Sequence, residues 1–270
     1  MHYQSGLHEF SIGVFGLSIT LSGDCRRTVR ELQHNLLPWL PRLPRPSAPA
    51  PNLLFSIGPG PAPGRFRLER NDVLFDSDVA EPCLVTLLQR AIEEAIIENL
   101  RDFAAIHSGV VVWDGVAILL PGPSQSGKTT LVRELIARGA EYSSDEFAMI
   151  DAFGQVHPWP RALMIRDANS DQHPVPAPDL GARLRCGPAR PGLVLFLPYD
   201  QKAAFEVRPV SQSGTLFGLL RNTPHFLADN PHILKPLICV ARAATAFEGV
   251  RGDAAEAADG LLRMIPRLSW

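Results

Sequence analysis

Pro121-Gly-Pro-Ser-Gln-Ser-Gly-Lys-Thr-Thr130 separates Gly122 from Gly127 by four residues and follows the second glycine with Lys128 and Thr129. This satisfies the G-x-x-x-x-G-K-[ST] spacing of a phosphate-cradling turn in full. Glycines let the backbone close around an anion, successive N–H groups point inward, and the helix that follows adds the positive end of its dipole. Lysine occurs only at positions 128, 202 and 235, so Lys128 is not the by-product of a lysine-rich composition. The apolar run Val116-Ala-Ile-Leu-Leu-Pro121 leads into the turn. Thr130-Leu-Val-Arg-Glu-Leu-Ile-Ala-Arg138 leads out of it, with Leu131, Leu135 and Ile136 on one helical face and Gly139 at the expected stop. Strand, turn and helix in that order predict an α/β nucleotide-binding core. Gly122, Pro123, Ser124, Gln125, Ser126, Gly127, Lys128, Thr129 and Thr130 are its expected contacts to a nucleoside triphosphate.

Whether a phosphate goes to water or to another acceptor depends on the carboxylates nearby. Asp145 and Glu146 interrupt the strand-like segment Ala140–Asp151, one helix beyond Lys128. At that offset one carboxylate can serve an acceptor hydroxyl while the other turns toward a metal. Magnesium keeps several waters, so Thr129, Asp145 and Glu146 suffice as its expected ligands. A solvated acidic turn is the plainer reading of the same pair. His107 could reach the phosphates or tune Asp145, although a lone histidine is more often structural. Arg161 and Arg166 could neutralise charge on a transferring phosphoryl group, a task suited to a guanidinium. Asp200 follows the apolar run Leu193–Leu197, but Pro198 and Tyr199 intervene, which leaves it a weak candidate for a second metal acid. Leu21-Ser-Gly23 imitates a fragment of a transporter-ATPase signature, lies upstream of the turn, and is set aside.

Further from the motif, residues 1–80 read as a small β-rich module. Strands are expected at Phe10–Val14, Leu17–Leu21 and Leu53–Ile57, with a helix at Arg26–Leu37, a proline-rich connector from Pro38 to Pro51, and a hairpin turning at Asn71-Asp72. Residues 81–270 read as the nucleotide-binding domain. It opens with a helix from Pro82 to Ala105, whose apolar stripe is expected to pack on the nucleotide core. A hairpin through Asp114-Gly115 then delivers the chain into the turn. Val156–Arg166 follows the acidic strand, Pro174–Pro191 reads as a proline-rich loop, Gly192–Leu197 as a buried strand and Phe205–Val210 as a weaker one. The remainder reads as helical around Gly214–Arg221, Ile233–Phe247 and Ala254–Met264.

The chain has 270 residues and 46% hydrophobic content, enough for a packed core. A net charge of -2 and the lack of a basic stripe argue against nucleic acid or an acidic membrane as partner. Cys25, Cys83, Cys186 and Cys239 are widely spaced, which suggests neither a zinc site nor a disulfide framework. With no signal-like N-terminus and no apolar run of membrane-spanning length, a cytoplasmic location is expected.

Taken together, His107-Ser-Gly-Val-Val111, Gly115, Gly122–Thr130, Arg138-Gly139 and Ser144-Asp-Glu146 resemble the catalytic domain of bacterial HPr kinase/phosphorylase, over about Arg101 to Phe247. In that family a histidine precedes the first glycine of the phosphate loop by fifteen positions, as His107 precedes Gly122. The chain is more similar still to HPr-kinase-like proteins of bacterial biosynthetic clusters, which share Pro-Gly-Pro-Ser-x-x-Gly-Lys-[Ser/Thr]-Thr, Ser-Asp-Glu-[Phe/Tyr]-Ala and Val-His-Pro-x-x-Arg. That group includes tailoring kinases of lasso peptides.

The resemblance implies an HPr kinase/PEP carboxykinase-like core, a mixed sheet flanked by helices. It also implies ATP- and Mg2+-dependent phosphorylation of a serine on a peptide or protein, a lasso precursor peptide among the options, and it is compatible with a homo-oligomer. By carry-over Asp145 would be the base, Glu146 a metal-side acid, Lys128 and Thr129 the phosphate and magnesium ligands, and His107 and Arg161 catalytic helpers. The enzyme that defines the family has Glu-Arg-Gly where this chain has Pro160-Arg161-Ala162. Loss of that glutamate points away from phosphorylase activity. Two other readings stay open: a small-molecule kinase of the shikimate or nucleotide type, and a non-catalytic nucleotide sensor that recruits a partner.

Overall fold

The computed structural model describes residues 8–36, 52–123, 126–166, 172–224 and 231–265. The chain forms two compact units, Met1–Arg101 and Asp102–Trp270.

The first unit contains β1 (His8–Val14), β2 (Leu17–Gly23), α1 (Arg26–Leu36), β3 (Asn52–Pro59), β4 (Arg65–Arg70), β5 (Val73–Ala80) and α2 (Glu81–Glu98). The strands form one sheet in sequence order, antiparallel except for the β2–β3 pair. That parallel pair needs a crossover, which contains α1; the proline-rich connector lies outside the described residues. The hairpin tips Phe15-Gly16 and Asn71-Asp72 are left-handed at both positions, the conformation that matches strand twist in two-residue turns. Leu17, Ile19, Leu21, Leu53, Phe55 and Ile57 alternate inward to form the core.

α2 begins beside Pro82 and stops at Glu98, where the Asn99 side chain donates to the Ala95 carbonyl. It packs on α1, β4 and β5, and Arg70 pairs with Glu98 at 2.8 Å. The expected boundary after residue 80 therefore differs from the observed division, which keeps α2 in the first unit. The helix was also expected to run to Ala105, yet Phe103-Ala-Ala-Ile106 is strand. Ala104, Ala105 and Ile106 are fully buried and pair with the segment Ala148–Asp151, so sheet pairing overrides alanine's helical preference.

The second unit contains β6 (Phe103–Trp113), β7 (Val116–Pro121), α3 (Lys128–Ala137), β8 (Glu141–Ser144), β9 (Phe147–Asp151), β10 (Val156–His157), β11 (Leu163–Arg166) and β12 (Gln172–Val175). It continues through β13 (Arg190–Phe196), β14 (Glu206–Pro209), α4 (Gln212–Arg221), α5 (Leu234–Ala243), β15 (Thr245–Val250) and α6 (Ala254–Met264). An eight-stranded sheet runs β10-β9-β6-β7-β13-β15-β14, with β8 also on β6. β13 is parallel to β7 and β15, and the other pairings are antiparallel. The fold is thus mixed α/β, as the sequence predicts.

β7 is buried at every residue, the pattern of a strand covered on both faces. Leu131, Val132, Leu135 and Ile136 of α3 and Ala257, Ala258 and Leu261 of α6 join Ile118, Leu120, Leu193 and Leu195 in one apolar cluster. α5 packs on β6, β9 and β13. Arg138 ties the end of α3 to α6 through Glu134 and Asp259, each at 2.6 Å.

Three expectations change in this unit. Val156–Arg166 splits into β10 and β11 around Pro158 and Pro160, which supply no N–H to a ladder. Pro174–Pro191 is not one irregular loop, because β12 pairs with β11 and Ala177–Leu180 forms a 3-10 turn. The last strand, β15, occupies Thr245–Phe247, which helical spacing had assigned to a longer α5.

Candidate functional site

The turn between β7 and α3 is anchored at its entrance by Gly122, whose N–H donates to the His107 carbonyl at 3.2 Å. Gly127 ends it at φ +81°, a left-handed conformation natural to glycine, and α3 starts at Lys128 without a side-chain cap. The first amides of α3 are therefore available to an anion. Lys128 Nζ donates to the carbonyls of Gly122 and Pro123, both at 2.8 Å, so its ammonium spans the turn. Burial pulls the Lys128 pKa down, while Glu146 and Asp145 pull it back up. Ser126 and Thr130 belong to the same turn and helix start; Ser124 and Gln125 lie outside the described residues.

β6 sets the acidic pair. Its Phe103–His107 half pairs with β9 and its Val110–Val112 half with β8, and the Asp145-Glu146 bend falls where one partner gives way to the other. The Glu146 carbonyl stays tied to the Ser108 N–H at 3.0 Å. Opposite the bend, Gly109 admits α3, since a Cβ there would lie 2.8 Å from Val132 Cγ2. The helix start and the bend are thereby brought into contact: Thr129 Oγ1 donates to Asp145 Oδ2 at 2.7 Å.

Asp145 is 7% exposed, and among the described residues its Oδ1 has no hydrogen-bond partner. Burial pushes its pKa up to about 7; Glu146 adds to the rise, while the Thr129 hydrogen bond, Lys128 and Arg161 oppose it. His107 Nδ1 stands 3.9 Å from Glu146 Oε1, and its ring lies 4.5 Å from that of Phe147. Burial lowers the His107 pKa and Lys128 adds to the fall, while Glu146 opposes it. Arg161 and Arg166 line the same cavity of about 380 Å3 as Lys128, Thr129, Asp145 and Glu146. Of the sequence-predicted residues, Lys128, Thr129, Asp145, Glu146, Arg161 and Arg166 thus share one cavity, and His107 stands beside Glu146.

Asp200 is outside this wall. It is exposed, its carboxylate accepts from the Lys202 N–H in a local turn, and its own N–H donates to the Arg251 carbonyl. Two arginines escaped the sequence reading. Arg133, five residues beyond Lys128 on α3, lines the cavity. Arg251, just after β15, is 2% exposed and donates to the carbonyls of Gly127 at 2.6 Å, Ser126 at 3.4 Å and Gly252 at 3.3 Å. Its Nη2 fills the space a Gly127 side chain would need, 2.3 Å from a Cβ built there. Only the chain fold brings position 251 to position 127, and no spacing rule links them.

Among the described residues no group of three or more His, Cys, Asp or Glu could cage a metal. Magnesium does not require one: a hydroxyl, one or two carboxylates, phosphates and water complete its octahedron. Thr129 beside Asp145, with the bare Oδ1 and Glu146 adjacent, fits that demand. Among the described residues no helix is long and apolar enough to cross a membrane.

Comparison with protein-family models and with curated proteins gives no match. Among solved structures, the chain is similar to the HPr(Ser) kinase/phosphatase from Coxiella burnetii at 14% identity and a TM-score of 0.33, over 60% of this chain and 98% of that one.

Proposed function

We propose that this chain is an ATP- and magnesium-dependent phosphotransferase that moves the γ-phosphoryl group to a serine hydroxyl of a peptide or protein. The observation that carries the reading is the Thr129–Asp145 contact at the start of α3, with a buried carboxyl oxygen still unpartnered beside it. An anion on the α3 amides and Lys128 lies within reach of that carboxyl. When bound, Mg2+ would offset phosphate charge, with Thr129, Asp145 and Glu146 as its protein ligands.

The α3 amides and Lys128 hold the β- and γ-phosphates in line with the acceptor. Asp145 takes the serine proton as the Oγ–P bond forms; the bond from phosphorus to the bridging oxygen breaks, and ADP leaves with its electron pair. In the metal-free protein burial raises the Asp145 pKa to about 7, above an ordinary aspartate, and a bound Mg2+ would keep it ionised at neutral pH. Arg161 would offset charge on the moving group, and His107 would stand beside Glu146 at the edge of the site. Pro160 in place of a glutamate favours a one-way kinase. A tailoring kinase of a lasso precursor peptide is the narrowest form of the proposal and rests on the sequence motifs alone. A shikimate-type kinase is disfavoured because its acid opens a helix, whereas Asp145-Glu146 opens β9.

The test is transfer of label from γ-labelled ATP, with Mg2+, to serine peptides and proteins. Wild type should label an acceptor. Asp145→Asn should bind nucleotide without transferring, and Lys128→Ala should lose both. Absence of nucleotide binding by the wild type would overturn the reading, and undiminished transfer by Asp145→Asn would remove the assigned base.

A further inference from the structure

The cavity continues past the Thr129–Asp145 contact. Beyond the two acids its wall is built from Arg133 of α3, Arg161 and Ala162 ahead of β11, and Met164, Ile165 and Arg166 of β11. Ala162 is buried and Met164 and Ile165 are half-buried, giving an apolar floor, whereas Arg133 and Arg166 are exposed at the rim. Three guanidiniums thus stand in one wall. Among the described residues, the only carboxylates lining the cavity are Asp145 and Glu146, which the proposed chemistry already occupies. In the proposed chemistry Lys128, the α3 amides and Arg161 serve the phosphates, which leaves Arg133 and Arg166 to the remaining space of the cavity, where an incoming hydroxyl would meet Asp145. Guanidinium is also the side chain best matched to carboxylate, through paired N–H donors.

We propose that this lobe binds the acceptor and selects an acidic peptide segment, a serine with Asp or Glu within a few residues of it. The inference rests on the phosphotransfer reading. Arg133 and Arg166 meet the acidic side chains at the rim, and Ala162, Met164 and Ile165 receive the aliphatic part of the segment. Each exposed pair contributes modestly, so discrimination is collective and falls as salt rises.

The experiment uses the full chain, ATP, Mg2+ and a serine-centred degenerate peptide library, followed by matched peptides with Glu, Gln or Lys flanking the serine. Acidic residues should be enriched among the phosphorylated products. The Glu-flanked peptide should exceed the Lys-flanked one in kcat/KM by about tenfold at low salt, as expected for two or three exposed pairs. Arg133→Glu with Arg166→Glu should bring that ratio to one or below. Equal use of all flanks, or an unchanged ratio in the doubly reversed protein, would overturn the inference while leaving the kinase standing. Label confined to free hydroxy acids would overturn the peptide as acceptor. Failure to bind nucleotide at all would instead strike the phosphotransfer reading itself, and a fluorescent ATP analogue measured alongside separates that case.

Discussion

Around the turn that precedes α3, cations are met by main-chain oxygens: half-buried Lys128 by the carbonyls of Gly122 and Pro123, buried Arg251 by those of Ser126, Gly127 and Gly252. At the Asp145-Glu146 bend a buried carboxyl receives one hydrogen bond, from Thr129, and its other oxygen has none. Carbonyl dipoles satisfy donors but leave the positive charge in place, so the start of α3 stays attractive to an anion. The acid is held the opposite way. Its charge is penalised by burial, so it gains most from whatever brings a proton or a cation. One region is organised in advance of its ligand, the other is completed by it.

The largest expected effect breaks the acid side of that contrast. Asp145→Asn keeps the shape but removes the proposed base, and kcat should fall by about a hundred- to ten-thousandfold with nucleotide affinity retained. The same variant sharpens the contrast through stability. The folded pKa of Asp145 is raised to about 7 from 3.8, so the native state binds the proton more tightly than the unfolded chain. The stabilising protonation is complete below pH 4 and is lost as pH rises through 7. Metal-free wild type should therefore weaken across that window, by at most about 4 kcal/mol at 1.36 kcal/mol per pKa unit. Asp145→Asn should be the more stable protein at pH 8 and equal to wild type near pH 4. Parallel denaturation curves at the two pH values, with no difference between the proteins, would show that the carboxyl is not destabilised by burial.

The next effect lies on the cation side. Arg251→Met leaves carbonyls of Ser126 and Gly127 without their donor, a loss of about 1–3 kcal/mol. If that loss falls on the geometry of the turn, nucleotide affinity drops about ten- to a hundredfold and Arg251→Lys recovers part of it. A lower melting temperature with unchanged nucleotide affinity would make Arg251 a packing residue alone. The smallest effect tests what joins the two regions. Gly109→Ala would press on Val132 and lift α3 from β6, costing about 1–3 kcal/mol. Adding Val132→Ala should return much of that stability, and strictly additive losses would show that the helix does not bear on this contact.

What could be read in advance follows the reach of each physical signal. The turn, the α3 stripe and the acidic bend lie within twenty-five residues of one another, and local spacing and apolar periodicity specify them. Two of the three hairpins with left-handed tips are readable for the same reason, because Asn71-Asp72 and Asp114-Gly115 carry their turn preference in the residues themselves. Misreadings arose where long-range pairing overrides local preference. Ala104 and Ala105 look helical until β9 is laid beside them, and Thr245–Phe247 continues a helical spacing until β13 offers a parallel partner. Arg251 lay beyond any local signal, since its role exists only once β15 ends beside the turn.

One edge of β6 is shared by two partners in succession, β9 and then β8, and Asp145-Glu146 is the step between them. Side chains alternate with period two, so inserting or deleting a residue inside β6 would turn its remaining length inside out. An insertion at the step would leave both ladders in register. Chain length can therefore vary at the acid pair independently of the sheet, giving this scaffold a way to adjust how far a carboxylate extends without redesigning the core.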